Sequence, residues 1–453
     1  MICYNHIQEQ EKKVMYIQRD IDPVLSEWKN SSRRKPLLLR GVRQCGKTRT
    51  VRHLAEQFEN YAEINLEKQP SLHSLFSGDI DAKKIVSRLE LETLQPIRPG
   101  RTLLFIDEIQ ACPRAVTALR YLYEDLPELH VIAAGSLLEI VLNNRKKDKI
   151  DFPVGRIRSI YLYPLSFREF LMGTGQGLLC SYLDQLNAFD DRNLAHEKLM
   201  DAYKTYLIVG GMPEAAAEYC NTASLLSCQN IHRDILLSFL DDLGKYDTDI
   251  PAEILRKVFD YALHHVCSQV KVSSAIPGVS AYYFEESIKL LRRAGLVYPV
   301  YAASCDSLPL GSGIKEANKK LLFFDTGIYL TECGLDVGDI LTSDAFGKIN
   351  KGNVVEMQTG LEMIKYTDPF REAAIFYWYR AGANAEVDYV IQKEDAILPV
   401  EVKASGKGSM QSMYSYLETH PDAPYGIRVS AEDFSTYGQI HVYPVYAVKK
   451  FLK

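Results

Sequence analysis

The chain has 453 residues, which is long for one hydrophobic core and suggests about three domains. Its hydrophobic fraction of 47% and charged fraction of 25% are those of an ordinary globular protein. The net charge of −5 excludes a strongly basic surface over the whole chain, so a DNA or RNA contact would need a local basic patch. No apolar run approaches the roughly 18 residues of a membrane helix. Nine scattered cysteines without a CxxC pair predict reduced thiols and a cytoplasmic protein with no membrane partner.

The segment that follows the first apolar run contains a complete GxxxxGKT motif, from Gly41 to Thr48. The run 36–39 predicts a buried strand, and apolar residues at helical spacing follow the motif. Backbone N–H groups of such a loop can surround phosphates, and the helix N-terminus adds a favourable dipole. Lys47 is expected to reach the outer phosphates, and Thr48 to offer its hydroxyl to Mg²⁺. The predicted nucleotide-binding residues are Gly41, Arg43, Gln44, Cys45, Gly46, Lys47, Thr48 and Arg49.

A second motif lies at 102–108, where four bulky apolar residues lead into Asp107 and Glu108. We expect Asp107 to hold Mg²⁺ through water and Glu108 to act as the general base on the attacking water. Many buried strands end in acids, so this pattern alone is a weak signal. Its distance behind the GxxxxGKT loop is what makes it indicate a nucleotide site. Together the two motifs predict ATP and Mg²⁺ as cofactors, and ATP hydrolysis as the reaction.

A further apolar run, His130–Ala134, ends at Gly135 and Ser136. Ser136 is a candidate sensor of the outer phosphate, and the alternative is an ordinary strand-to-loop turn. Strands that alternate with helices predict an α/β fold with a parallel, doubly wound sheet. One additional strand is expected between the two motif-bearing strands, as in the branch of P-loop ATPases that includes the AAA+ proteins.

Four strings resemble those of a prokaryotic family of AAA-type ATPases that carry a C-terminal domain of unknown function: LLLRGVRQCGKT, LLFIDEIQACP, AAGSLLEI and FPVGRIRSIYLYPLSFREFL. The similarity continues through Gly210–Glu214 and Lys320–Gly327 nearly to the C-terminus. It implies an ATP-binding AAA-like module, a helical linker and a C-terminal fold like the PD-(D/E)xK restriction endonucleases. The corresponding ranges are 1–30 for an N-terminal extension and helix, 31–200 for the ATPase, 201–315 for the linker and 316–453 for the C-terminal domain.

Arg156 matches a Gly-Arg position of that family. The resemblance makes it a candidate arginine finger, which in AAA-type rings usually comes from a neighbouring subunit and would imply a homo-oligomer. The alternative is an ordinary solvated or ion-paired arginine. Arg43 has the same two possibilities, because it could touch phosphate or pair with a nearby acid.

The linker region has several predicted helices followed by a short strand, which is typical of a winged-helix-like arrangement. Lys289, Arg292 and Arg293 could contact a phosphate backbone there. The other possibility is a solvated face of a domain that mediates subunit contacts. The absence of a basic surplus in this region favours the second interpretation.

The last third of the chain carries a second constellation of polar residues. Glu356 lies on a predicted helix, Asp388 on a predicted strand, and Glu401 and Lys403 on the next strand, 396–403. Residues two apart on a strand project from the same face, so Glu401 and Lys403 are expected to lie together. Asp388 and Glu401 could bind Mg²⁺, with Glu356 completing the site and Lys403 orienting or deprotonating a water. Half-buried strands also alternate charged and apolar residues, so an ExK pattern alone is a weak signal.

Three functions are compatible with these patterns. ATP hydrolysis could control a metal-dependent nuclease in the C-terminal domain. The C-terminal domain could instead bind nucleic acid under ATP control without cutting it. The third possibility is a nucleotide-dependent scaffold for proteins, which the acidic net charge favours.

Overall fold

The computed structural model describes residues 16–135, 152–187, 189, 193–243, 250–272, 275–334, 341, 351–380, 382, 385–404 and 408–452. Two sheets organise these residues, one of five strands and one of eight. Within the described residues, no helix is long and apolar enough to span a membrane.

The five-stranded sheet is parallel throughout and has the order β2-β3-β4-β1-β5. β4 lies between β1 and β3, which confirms the additional strand expected between the two motif-bearing strands. Alternate residues of each strand enter two separate apolar cores; for example, Leu37 and Leu39 face one core and Leu38 the other. Helices cover both faces, which explains why these strands are apolar without alternation. The elements are β1 (Leu37–Arg40), β2 (Asn60–Asn65), β3 (Thr102–Asp107), β4 (His130–Ala134), β5 (Arg158–Tyr161), α1 (Asp22–Asn30), α2 (Lys47–Ala55), α3 (Ala82–Thr93), α4 (Pro113–Asp125), α5 (Phe167–Gly173) and α6 (Gly177–Gln185).

Five helices follow and lead into an antiparallel pair of strands, β6 (Val297–Ala303) and β7 (Ile314–Phe323). Helices followed by a β-hairpin are the elements that a winged-helix-like arrangement would need, and that arrangement stays a prediction. The hairpin is nevertheless part of the eight-stranded sheet, because β6 also pairs with the next strand of the chain, at 375–379. The boundary suggested at 315/316 therefore falls inside β7. The helices are α7 (His196–Val209), α8 (Pro213–Thr222), α9 (Leu225–Leu243), α10 (Ala252–His264) and α11 (Ala281–Arg293).

The basic residues of α11 make local ion pairs. Lys289 contacts Glu286 at 2.8 Å, and Arg292 contacts Glu372 at 2.8 Å. These two pairs agree with the interpretation of α11 as a solvated face.

The eight-stranded sheet is mixed and has the order β12-β13-β11-β10-β9-β8-β6-β7. β10 is antiparallel to β9 and parallel to β11, so it lies in the interior of the sheet. The remaining elements are α12 (Thr326–Glu332), α13 (Lys351–Lys365), β8 (Ile375–Tyr379), β9 (Glu386–Lys393), β10 (Ala396–Lys403), α14 (Gln411–Thr419), β11 (Gly426–Ser430), β12 (Ser435–Tyr437), β13 (Ile440–Pro444) and α15 (Val448–Leu452).

A buried polar contact joins the two sheets' modules. Glu362 of α13 accepts hydrogen bonds from the backbone N–H of Phe167 at 3.2 Å and from the Tyr206 hydroxyl at 2.8 Å. Lys365 of the same helix donates to the carbonyl of Leu165 at 3.0 Å. One apolar core runs continuously from β1 to the C-terminal helix. The ATPase-like and C-terminal parts therefore pack as one body around α13.

Candidate nucleotide site and carboxylate cluster

The GxxxxGKT loop connects β1 to α2, and its glycines have backbone geometry that other residues rarely adopt. Gly41 has φ 152°, and a Cβ there would lie 2.1 Å from the carbonyl oxygen of Leu162. Gly46 has φ 100° and precedes the first turn of α2. Lys47 Nζ donates to the carbonyl oxygens of Gly41 and Val42, both at 2.9 Å. The loop therefore folds around its own lysine, at the N-terminus of a helix.

Thr48 and Asp107 meet at the carboxyl ends of β1 and β3. The Thr48 hydroxyl donates to Asp107 Oδ2 at 3.1 Å, and the Asn65 amide donates to the same oxygen at 3.4 Å. Burial raises the pKa of the Asp107 carboxyl, and the charge of Glu108 raises it further. A hydroxyl and a carboxylate are hard oxygen donors of the kind that Mg²⁺ prefers, so this pair fits Mg²⁺.

Glu108 directly follows β3 in a left-handed conformation, with φ 49°. Its Oε2 accepts a hydrogen bond from Gln110 Nε2 at 2.5 Å. The side chain of Gln110 also lies against Gly135 at the end of β4, where a Cβ would come within 2.3 Å of Gln110 Oε1. Gln110 thus orients the carboxylate expected to act as a base. The sequence pattern did not single out this residue.

A cleft of about 510 Å³ opens beside the loop, between α2 and the start of α8. This volume is within the usual range of ligand sites. Its lining includes Tyr16 and Ile17, which precede α1, and Pro213, Glu214 and Ala217 of α8. Among the predicted residues, those that line it are Arg43, Gln44, Gly46, Lys47, Thr48, Arg49 and Glu108.

Two predicted loop residues act through their backbone. The carbonyl of Gly41 holds Lys47, and the carbonyl of Cys45 accepts a hydrogen bond from Arg19. The Cys45 side chain points away from the cleft, and its thiol is buried against the carbonyl oxygen of Leu162 at 3.5 Å.

Arg19 is a part of the site that the sequence pattern missed. Its side chain is only 4% exposed. It donates to the carbonyls of Cys45 at 2.9 Å and Tyr163 at 2.6 Å, and it pairs with Glu169 at 3.0 Å. These contacts tie the phosphate loop to the segment after β5 and to α5. No local motif surrounds Arg19, so no signal in the sequence could have identified it.

The arginines with two possible roles form ion pairs. Arg43 makes a close ion pair with Asp242 of α9, so its acid-pairing alternative is the one the structure contains. Arg156 pairs with Glu124 of α4 at 2.7 Å, and its side chain is 50% exposed. Arg156 does not line the cleft described above. Ser136, the candidate phosphate sensor, lies outside the described residues.

The second predicted constellation comes together in the eight-stranded sheet. Glu386 and Asp388 of β9, Glu401 of β10 and Glu356 of α13 form a group that we call the carboxylate cluster. Lys320 of β7, which the prediction did not include, lies among them and is only 2% exposed. Its Nζ is 3.1 Å from Glu356 Oε1 and 3.8 Å from Asp388 Oδ1, and it also pairs closely with Glu386.

Glu401 and Lys403 lie together, as expected for residues two apart on a strand. Lys403 Nζ is 2.5 Å from Glu401 Oε1, while the buried Glu401 Oε2 has no hydrogen-bond partner among the residues that the structure describes. Asp388 Oδ2 accepts a hydrogen bond from the backbone N–H of Val402 at 2.8 Å. This bond links the acid of β9 to the ExK strand.

Burial dominates the ionisation of the carboxylate cluster. It raises the pKa of Glu356 to about 8 and that of Glu401 to about 7, and in both cases the charge of Asp388 adds to the effect. Burial alone would lower the pKa of Lys320, but Glu356, Asp388 and Glu386 hold it well above its usual value. Lys320 is therefore a buried cation that these acids stabilise.

The Mg²⁺ site predicted from Glu356, Asp388 and Glu401 does not fit this arrangement. An ammonium group already lies between Glu356 and Asp388, and Glu401 is paired with Lys403. In the described part of the chain, no group of three or more His, Cys, Asp or Glu side chains is arranged to hold a metal ion.

Comparisons with known families match three segments of the chain. Residues 33–171 match an AAA domain. Residues 200–337 and 351–448 match two domains of unknown function, DUF8612 and DUF4143. No match was found among curated proteins.

Several solved structures match the chain with little shared sequence. A Walker-type ATPase of Pyrococcus abyssi is 13% identical with a TM-score of 0.41, over 70% of this chain and 95% of that one. The ORC2 protein of Aeropyrum pernix, in ADPNP and ADP complexes, is 13% identical with a TM-score of 0.35, over 78% and 98%. A STAND protein of Pyrococcus horikoshii with a tetratricopeptide repeat sensor is 14% identical with a TM-score of 0.27, over 78% and 46%.

The family match over residues 33–171 coincides with the five-stranded parallel sheet, its GxxxxGKT loop and the Asp-Glu pair that ends β3. That part of the chain matches an AAA domain and has the parallel sheet and phosphate loop of a P-loop ATPase-like domain.

Proposed function

We propose that the chain binds ATP with Mg²⁺ in the cleft beside the phosphate loop and hydrolyses it there. The observation that carries this proposal is the 3.1 Å contact between Thr48, in the first turn of α2, and Asp107, at the end of β3. The cleft beside them is large enough for a nucleotide.

Lys47 and Glu108 have distinct roles in this proposal. Lys47 exchanges the carbonyls of Gly41 and Val42 for the outer phosphate oxygens, which accept stronger, charge-assisted hydrogen bonds. Glu108, held by Gln110, orients and deprotonates the attacking water. Mg²⁺, when bound by Thr48 and Asp107, neutralises charge on the phosphates.

Substitutions at Lys47 and Glu108 separate binding from hydrolysis. Lys47→Ala is expected to weaken ATP binding by about 10- to 100-fold, because one hydrogen bond to a charged group is lost. Glu108→Gln is expected to bind ATP normally and to hydrolyse it about 10²- to 10⁴-fold more slowly. A fluorescent ATP analogue measures binding, and phosphate release measures turnover.

Arg52→Ala is the matched control for Lys47→Ala. Arg52 lies on the same helix but is exposed and paired with Glu63, so its loss should change neither binding nor turnover. Full turnover in both Lys47→Ala and Glu108→Gln would contradict the site assignment.

Arg156 remains a proposed finger that acts between subunits of a homo-oligomer. This role requires Arg156 to leave Glu124 and reach the cleft of a neighbouring copy. Arg120 pairs with the same Glu124, at 3.2 Å, and serves as the control. Arg156→Ala should slow hydrolysis at saturating ATP and Arg120→Ala should not; equal rates in both variants would reject the finger.

We propose a second candidate function for the eight-stranded sheet. It binds DNA, RNA or protein under the control of ATP, and it does not cut nucleic acid. The observation that favours binding over cleavage is Lys320, whose ammonium group lies where the nuclease hypothesis requires a metal ion. We therefore propose that the C-terminal domain has a nuclease-like fold but does not cleave nucleic acid.

The test is a combined binding and cleavage assay on single-stranded, duplex and branched DNA and on RNA, with Mn²⁺ or Mg²⁺ and with or without ATP. Binding without cutting is expected. Metal-dependent cutting that disappears in Lys403→Ala would instead establish a nuclease. Neither binding nor cutting would leave a protein partner as the remaining alternative.

A further inference from the structure

Lys320 is among the most buried large side chains of the molecule, although lysine is rarely buried. Its Nζ contacts three carboxylates that come from two different elements, Glu356 from α13 and both Glu386 and Asp388 from β9. The ring of Tyr377 lies on a further side, with its centroid 5.2 Å from Nζ. A buried charge is costly unless it is paired and hydrogen-bonded, so the surrounding residues form a specific site for one cation.

The remaining carboxylate of the cluster, Glu401, pairs with a different lysine through one of its two oxygens. Glu401 has its own lysine, Lys403, at 2.5 Å. Each of the four carboxylates thus has an ammonium group within 4 Å. A divalent ion would need the same oxygens at about 2.0–2.1 Å for Mg²⁺, and it would repel the ammonium groups that already lie among them.

We propose that Lys320 is the permanent cation of the carboxylate cluster and takes the place of the divalent ion predicted for Glu356, Asp388 and Glu401. The site is consequently a metal-free polar core of the sheet. This inference deepens the second candidate function, and it is independent of the proposed ATPase because it concerns separate residues.

The inference is tested by Mn²⁺ binding to the full chain without nucleotide, measured as loss of the free-ion electron paramagnetic resonance signal. The parent protein carries Asp107→Asn, so that the Thr48–Asp107 pair of the nucleotide site no longer offers its carboxylate to a metal ion. We expect no binding by the parent below about 1 mM Mn²⁺, which means a dissociation constant weaker than about 1 mM. Lys320→Ala should create one site that binds at least tenfold more tightly, because four carboxylates then share one remaining lysine.

Lys319→Ala is the matched control. Lys319 is the neighbouring residue on β7, is also buried, and pairs with Glu285 outside the cluster. Its loss should create no site at the cluster. Adding Asp388→Asn to Lys320→Ala should remove the new site, whereas adding it to Lys319→Ala should change nothing.

Two results would overturn the inference. One is a Mn²⁺ site in the parent that Asp388→Asn removes, since a metal would then bind with Lys320 in place. The other is a folded Lys320→Ala variant that binds no more Mn²⁺ than Lys319→Ala. Should Lys320→Ala unfold, recovery of its circular dichroism signal by Mn²⁺ but not by Na⁺ would support the inference, and failure of both ions would overturn it.

Discussion

Arg19 holds the phosphate loop although it lies outside every motif. It is the buried partner of Glu169 and a donor to the Cys45 carbonyl. Arg19→Met keeps most of the side-chain volume and leaves Glu169 as a buried carboxylate without its cation. We expect a loss of about 3–5 kcal/mol in the free energy of unfolding, measured by urea denaturation.

The double variant Arg19→Met with Glu169→Gln is the control for this prediction. It removes both charges, so it should be less destabilised than Arg19→Met alone. Equal stability of the two variants would show that a buried Glu169 carboxylate without its cation does not destabilise the fold. Both variants should also bind ATP more weakly, because each loses the anchor of the loop.

Residues whose role depends on local backbone chemistry could be predicted from the sequence. Lys47, Thr48 and Asp107 belong to motifs whose function follows from a strand, a loop and a helix in order. Arg19, Gln110 and Lys320 could not be found that way. Arg19 and Lys320 are defined by partners far away in the chain, and Gln110 by a hydrogen bond to Glu108 that belongs to no motif, so one sequence does not reveal these pairings.

At the scale of elements, His130 links the start of β4 to α1. Its Nε2 lies 3.0 Å from the carbonyl oxygen of Lys29, and the rings of Trp28 and Phe58 pack edge-on against it. Burial lowers the pKa of His130 from 6.5 to about 4, and the charges of Arg34 and Lys29 contribute. The folded state therefore favours the neutral imidazole.

The unfolded chain takes up this proton first as the pH falls, since its histidine pKa is the higher one. The stability that neutral His130 contributes is thus complete above about pH 6.5 and is lost as the pH falls towards 4. We expect the melting temperature to fall more between pH 7 and pH 5 in the wild type than in His130→Phe. Parallel pH profiles of the two proteins would contradict this prediction.

Elements with strong periodicity were predicted well, and elements at the cleft less so. The strand predicted at 396–403 has those bounds in the structure. The helix predicted within residues 1–30 begins at Asp22, because Pro23 favours the first helical turn and Asp22 accepts hydrogen bonds from Tyr16 and Arg19. The preceding residues line the cleft instead. The place of β6 and β7 in the larger sheet depends on pairing with a distant strand, which periodicity does not encode.

For the whole molecule, the contact of α13 with the ATPase domain predicts cooperative unfolding. Glu362→Ala would leave the buried Lys365 without its nearby carboxylate, and about 3–5 kcal/mol of stability should be lost. The sequence contains two tryptophans, and they report on the two modules separately: Trp28 lies in α1 and Trp378 in β8.

Each of the variants Trp28→Phe and Trp378→Phe keeps a single tryptophan. The fluorescence of that tryptophan reports on the unfolding of the module that contains it. We expect the two probes to give the same urea midpoint in otherwise wild-type protein, and Glu362→Ala to lower both. Separate midpoints in the wild-type background would show that the continuous core does not couple the modules.

The position of β7 limits where the chain can be divided. A fragment that begins at residue 316 would lose β6 and the start of β7, although the match to the C-terminal family begins only at 351. Loss of β6 would expose the edge of β8, whose residues Phe376–Trp378 are buried and aromatic. An uncovered apolar strand edge recruits other chains, so such a fragment would aggregate even though it contains the whole matched region. The C-terminal region can thus be delimited in the sequence, but its sheet does not form an independently folding domain.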